Sequence, residues 1–81
     1  MRIPRDESAE RLIKKLAVFG YVKTRQTGSH IRISRQFQGK TDHLTIPNHN
    51  PIRIGTLSDI LKEAAIQLEL SKEELVFKLF H

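Results

Sequence analysis

The chain has 81 residues, 38% of them hydrophobic, and 14 Lys and Arg against 9 Asp and Glu give a formal net charge of +5. That size allows one domain, 1–81, with a thin core, and the apolar content argues against wholesale disorder. The chain has no cysteine, which excludes a disulfide framework or a cysteine-ligated zinc site and suits a reducing, cytoplasmic setting.

The opening Met1-Arg2-Ile3-Pro4-Arg5-Asp6 has no apolar run behind its charges, so no signal peptide is expected, and no stretch reaches the length of a membrane span. Residues 1–7 read as an irregular lead-in. Asp6 or Ser8 can cap a first helix whose apolar positions are Leu12, Ile13, Leu16 and Ala17, with Arg11, Lys14 and Lys15 turned away. Gly20 suits the stop, and Phe19 and Tyr21 beside it should pack at the core edge.

Tyr21 to Thr27 reads as a strand, Gly28-Ser29 as a two-residue hairpin turn, and His30 to Arg35 as the returning strand. This predicts the pairs Thr27–His30, Arg25–Arg32 and Lys23–Ser34. Val22, Thr24, Ile31 and Ile33 would then face the core, and Tyr21, Lys23, Arg25, His30 and Arg32 the other side. Gln36 to Asp42 reads as a polar loop, and His43 to Ile46 as a third strand with His43 and Thr45 outward. Pro47 ends that strand, and Asn48-His49-Asn50-Pro51 is a turn-rich connection. Thr56, with Asp59 three residues on, is the expected N-cap of a second helix with the stripe Leu57, Ile60, Leu61, Ala64, Ala65 and Leu68. Ser71-Lys72-Glu73-Glu74 is a capping box for a last helix over about 71–80. The expected fold is α+β: an α-β-β-β-α core over about 8–68, laid out like a double-stranded-RNA-binding domain, with a three-stranded antiparallel sheet and an extra C-terminal helix.

Between Arg11 and Thr41 the cations Arg11, Lys14, Lys15, Lys23, Arg25, Arg32, Arg35 and Lys40 occur without any Asp or Glu, an asymmetry that points to a polyanion. RNA carries its own nucleophile, the 2′-hydroxyl. A protein need only remove its proton, steady the charged phosphorane and protonate the leaving oxygen. An outward His30 with cations nearby is a minimal set for that work. The alternative is a polar strand residue after a turn, and spacing alone favours that plainer role. His43 and His49 could supply a second acid or base or help position RNA, though each also reads as an ordinary surface residue. The usual short zinc-ligand spacings are absent, so no metal and no cofactor is expected.

Gln26-Thr27-Gly28-Ser29-His30, Leu44-Thr45-Ile46-Pro47-Asn48-His49 and Gly55-Thr56-Leu57-Ser58-Asp59-Ile60-Leu61 together resemble the HicA toxins of bacterial and archaeal toxin–antitoxin pairs, from about Ser8 to Ala65. The resemblance implies an mRNA interferase with a double-stranded-RNA-binding-like fold. It also implies a catalytic histidine at His30 and a HicB-type antitoxin covering the active surface. Lys23, Arg25, Gly28, Ser29, Arg32, His43 and His49 are the expected RNA-binding residues. The competing reading is a non-catalytic module holding A-form RNA by shape and 2′-hydroxyl contacts. The helix beginning at Gly55 lacks the lysine-rich start such a module would show, which favours the enzyme.

Overall fold

Ser8 opens the first helix, α1 (Ala9–Leu16), by accepting the Arg11 N–H on its hydroxyl at 3.1 Å in the computed structural model, which describes residues 2–81. α1 buries Ala9, Leu12 and Leu16, passes into a 3₁₀ turn at Ala17–Phe19 and ends at Gly20. Three antiparallel strands follow, β1 (Val22–Thr27), β2 (His30–Phe37) and β3 (Lys40–Pro47), paired in sequence order. Two helices complete the order, α2 (Ile54–Leu68) and α3 (Lys72–Phe80). The fold is α+β, α-β-β-β-α-α, as its apolar periodicities require.

Ile31 and Ile33 on β2 and Leu44 and Ile46 on β3 alternate with exposed residues, so the sheet has one apolar side. α1 and α2 cover that side, and α3 packs on α2. Leu12, Leu16, Leu57, Leu61 and Leu75 are completely buried there, each worth roughly 1.5–3 kcal/mol relative to exposure. Among the described residues, no helix lies over the other side of the sheet.

Three local expectations change. Gln36 to Asp42 is not a loop: β2 and β3 extend through it, pairing as far as Phe37 with Lys40. Only Gln38 and Gly39 turn, with φ of 52° and 77°, the two positive angles of a type I′ hairpin. Thr56 is not a cap, because the helix has already started at Ile54 and the Leu57 N–H reaches Arg53 O at 2.8 Å. Ile52, buried just upstream, brings the chain in early. Finally, Arg11 and Lys15 do not simply face solvent. They hold the buried carboxylate of Glu7, at 3.4 and 2.8 Å. The Glu7 carbonyl accepts the Ile52 N–H at 2.8 Å, and the His49 carbonyl accepts the Ala9 N–H at 3.2 Å. The residues before α1 and the connection after β3 are therefore joined backbone to backbone.

The capping box at Ser71 is formed in both directions: Ser71 Oγ accepts the Glu74 N–H, and Glu74 Oε1 accepts the Ser71 N–H, each at 3.0 Å. That backbone bond holds the Glu74 carboxyl below the usual carboxylate range. Tyr21 is fully buried and gives its hydroxyl to Gln67 Oε1 at 2.6 Å. Burial pushes its phenol up to about 12. No helix among the described residues is long and apolar enough to cross a membrane.

Candidate functional site on the open sheet face

The uncovered side of the sheet is built by alternation. On β2 it receives His30, Arg32 and Ser34, because Ile31 and Ile33 go to the core. His30 stands at the head of the strand because Gly28 turns the chain at φ +57°, a left-handed angle that glycine takes without a Cβ penalty. The residue is exposed, and among the described residues no side-chain hydrogen bond holds its ring. It lines a hollow of about 160 Å³ with Arg25, Thr27, Arg32 and Thr45. His30 pairs with Pro47, and the Asn48 N–H reaches Ser29 O at 2.6 Å. The backbone of His49 thus comes to the same end of the sheet as the Gly-Ser-His turn.

The hairpin keeps two of its three expected pairs, Thr27 with His30 and Arg25 with Arg32. The third is wrong. A bulge at Thr24 shifts the register, so Lys23 pairs with Ile33 and Val22 with Ser34. Val22 and Thr24 therefore leave the core side for the open side, and Lys23 makes the reverse move. Lys23 stays exposed because β1 is an edge strand, and it hydrogen-bonds Gln26 at 2.7 Å. Tyr21, expected on the open side, is in the core.

Charge pairing singles out part of the basic set. Of the eight cations between Arg11 and Thr41, five have carboxylate partners drawn from just outside or at the edge of that window: Arg11 and Lys15 with Glu7, Lys14 with Glu10, Arg35 and Lys40 with Asp42. Lys23, Arg25 and Arg32 have none among the described residues. Arg25 and Arg32 lie directly opposite each other on adjacent strands, a like-charge pairing that is unfavourable until an anion joins it.

His43 lies elsewhere on this face. It pairs with Ser34, four strand residues from His30, or about 13 Å at roughly 3.3 Å per residue. Its Nδ1 is 2.7 Å from Ser34 Oγ, and Ser34 Oγ is 3.0 Å from Thr24 Oγ1. Ser34 and Thr24 escaped sequence reasoning. Only the correct strand registers bring them to His43, and those depended on a bulge and on a loop shorter than its polar composition suggested. Around this group is a wider cleft of about 580 Å³ reaching from Gly20 and Val22 to Arg25 and Arg32. Among the described residues no three His, Asp or Glu side chains are gathered as a metal site would need.

Residues 9–66, running from the first residue of α1 to near the end of α2, match the sequence profile of the HicA toxin of bacterial toxin–antitoxin systems. No curated protein matches the chain. No solved structure matches it.

Proposed function

The chain belongs to the HicA toxin family of toxin–antitoxin systems, and on that premise we propose that it is an endoribonuclease that cleaves mRNA with His30 as general acid or base. The observation that supports this reading is the placing of an exposed histidine beside two arginines that, among the described residues, have no carboxylate partner, on the sheet face opposite α1 and α2. His30 takes the proton of a 2′-hydroxyl, whose oxygen then attacks the adjacent phosphorus. Arg25 and Arg32 meet the charge that grows on the phosphorane. Backbone N–H groups of the Gly28-Ser29 turn can bind a phosphate oxygen. The leaving 5′-oxygen takes a proton from a water molecule as the P–O bond breaks, and the proton held by His30 returns to solvent, so the products carry a 2′,3′-cyclic phosphate and a 5′-hydroxyl. Metal is not needed for this scheme, since the nucleophile, base and charge stabilisation all come from RNA and protein side chains.

His49, at the His30 end, is the better placed of the other two histidines to serve the same phosphate. A toxin of this family has an antitoxin partner; we take it to be HicB-type and to lie over the His30 face, where its acidic groups would find Arg25 and Arg32. Incubating the purified protein with single-stranded RNA in EDTA, and analysing the fragment ends, tests the chemistry. Cleavage to cyclic-phosphate ends is expected. Activity abolished by EDTA and restored by magnesium would overturn the scheme, and RNA bound but never cut would leave the non-catalytic RNA-binding module in its place.

A further inference from the structure

We infer that the cleft around His43 is a base-recognition subsite, taking an unpaired RNA base one or more nucleotides away from the scissile phosphate; this rests on the proposal that His30 cleaves RNA. Distance gives the first argument. About 13 Å of strand separates His30 from the Ser34–His43 pair, too far for both imidazoles to work on one phosphate, yet both face the same open side.

The second argument is the rigidity of His43. Behind the ring, Thr24 Oγ1 lies 3.4 Å from the Arg32 carbonyl. Ser34 Oγ stands between the two side chains, 3.0 Å from Thr24 Oγ1 and 2.7 Å from His43 Nδ1, so the imidazole is held at one ring nitrogen. The Nδ1 edge is thereby engaged, and Nε2 is left at the free edge of the ring to meet a ligand. The backbone is held as well: the His43 carbonyl accepts from Gln67 Nε2 at 2.9 Å, and Gln67 accepts from the buried Tyr21 hydroxyl at 2.6 Å. A surface histidine tethered through both side chain and main chain is preorganised to receive a ligand.

The third argument is the chemistry of the lining. Beyond Arg25 and Arg32 at one end, the polar groups are neutral: the Gln36 amide, the Thr41 hydroxyl and the hydroxyls behind His43. Such groups suit the edge of a base, whereas a phosphate would call for further cations. Val22, 60% exposed on this face, offers an apolar surface to the ring of a base. Nε2 meets a hydrogen-bonding group on the edge of a base, an amine, imino or carbonyl group, according to the tautomer that base selects. Arg25 and Arg32 line both the His30 hollow and this cleft, so the scissile phosphate they meet lies between the reacting end and the base subsite.

The test uses the His30→Ala protein, so that RNA is bound without being cut, and measures its affinity for short single-stranded oligonucleotides of U, of C and of A by fluorescence anisotropy. One base should be preferred, and adding His43→Ala or, separately, Ser34→Ala should reduce that preference by about threefold to tenfold, the worth of one hydrogen bond. The salt dependence set by the arginines should persist in both. Two substitutions are used because His43 is exposed and its loss leaves the core intact, whereas Ser34 tests the tether alone. RNA binding with no base preference, or a preference unchanged by His43→Ala, overturns the subsite while leaving the nuclease reading in place. Absence of RNA binding altogether overturns both.

Discussion

The two ends of the open face differ in how they hold their histidines. At the His30 end the ring sits on the first residue after a glycine turn, exposed and without a side-chain tether among the described residues. At the other end His43 is fixed by Ser34 and, through its carbonyl, by Gln67. A group that must give and take protons gains from a free ring, because every fixed hydrogen bond favours one protonation state. A group that must select a ligand gains from being fixed, because ordering has already been achieved before binding. The same short sheet thus carries one histidine without a side-chain tether among the described residues and one that is tethered, the difference the two proposed roles would need.

His30→Ala should separate the two ends most clearly. RNA cleavage should fall by roughly 10²–10⁴-fold, the usual contribution of a general acid or base, while His43→Ala should change which sites are cut far more than the overall rate. Cleavage mapped on a mixed-sequence RNA would check both. Equal losses from the two substitutions would show that the ends do one job.

Both ends rest on a shared floor. Leu44 is 1% exposed, directly opposite Ile33 and next to His43. Leu44→Ala should cost about 2–5 kcal/mol in urea unfolding, through reduced burial and the cavity left behind.

Between the ends lie the arginines. Arg25→Gln or Arg32→Gln should weaken RNA binding for every sequence and flatten the log–log salt dependence by about 0.7 for each phosphate that is no longer neutralised. Lys23→Gln should do neither, because the bulge turns Lys23 to the other side of the hairpin. An equal effect from Lys23 would restore the unbulged register.

The smallest effect concerns the support of the His43 end. The Tyr21 phenol stands at about 12 against an ordinary 10, so the folded state keeps its proton where the unfolded chain releases it. Its contribution to stability is complete below pH 10 and is lost as pH rises through about 12. Thermal unfolding across that range should show a shallower alkaline decline in Tyr21→Phe than in the parent.

Much of this arrangement is legible in the chain itself. Alternation in His30-Ile31-Arg32-Ile33 places His30 opposite the core, and Ser71 and Glu74 announce α3. What escapes is set by groups that carry no apolar signal. Val22 to Thr27 is an exposed edge strand, polar except for Val22, so nothing in it marks which residue is skipped, and the bulge at Thr24 goes unseen. Gln36 to Asp42 extends into solvent past the helices, where a strand needs no hydrophobic alternation. Glu7 reads as one more surface charge until α1 swings Arg11 and Lys15 onto it. The role proposed for His30 rests chiefly on the family resemblance, because a lone histidine after a turn is chemically commonplace.

Among the described residues the hydrophobic core lies between the helices and one side of the sheet, so the fold closes there without a second layer on the other side. If the proposed reading holds, a partner bound over His30 would therefore mask a finished catalyst and would not help to complete its folding. Proteolysis of such an antitoxin would liberate active protein at once, with no lag for chain rearrangement. The delay between the loss of the antitoxin and the first cut message would be set by the dissociation rate of the complex, and the depth of silence by how far antitoxin outnumbers toxin.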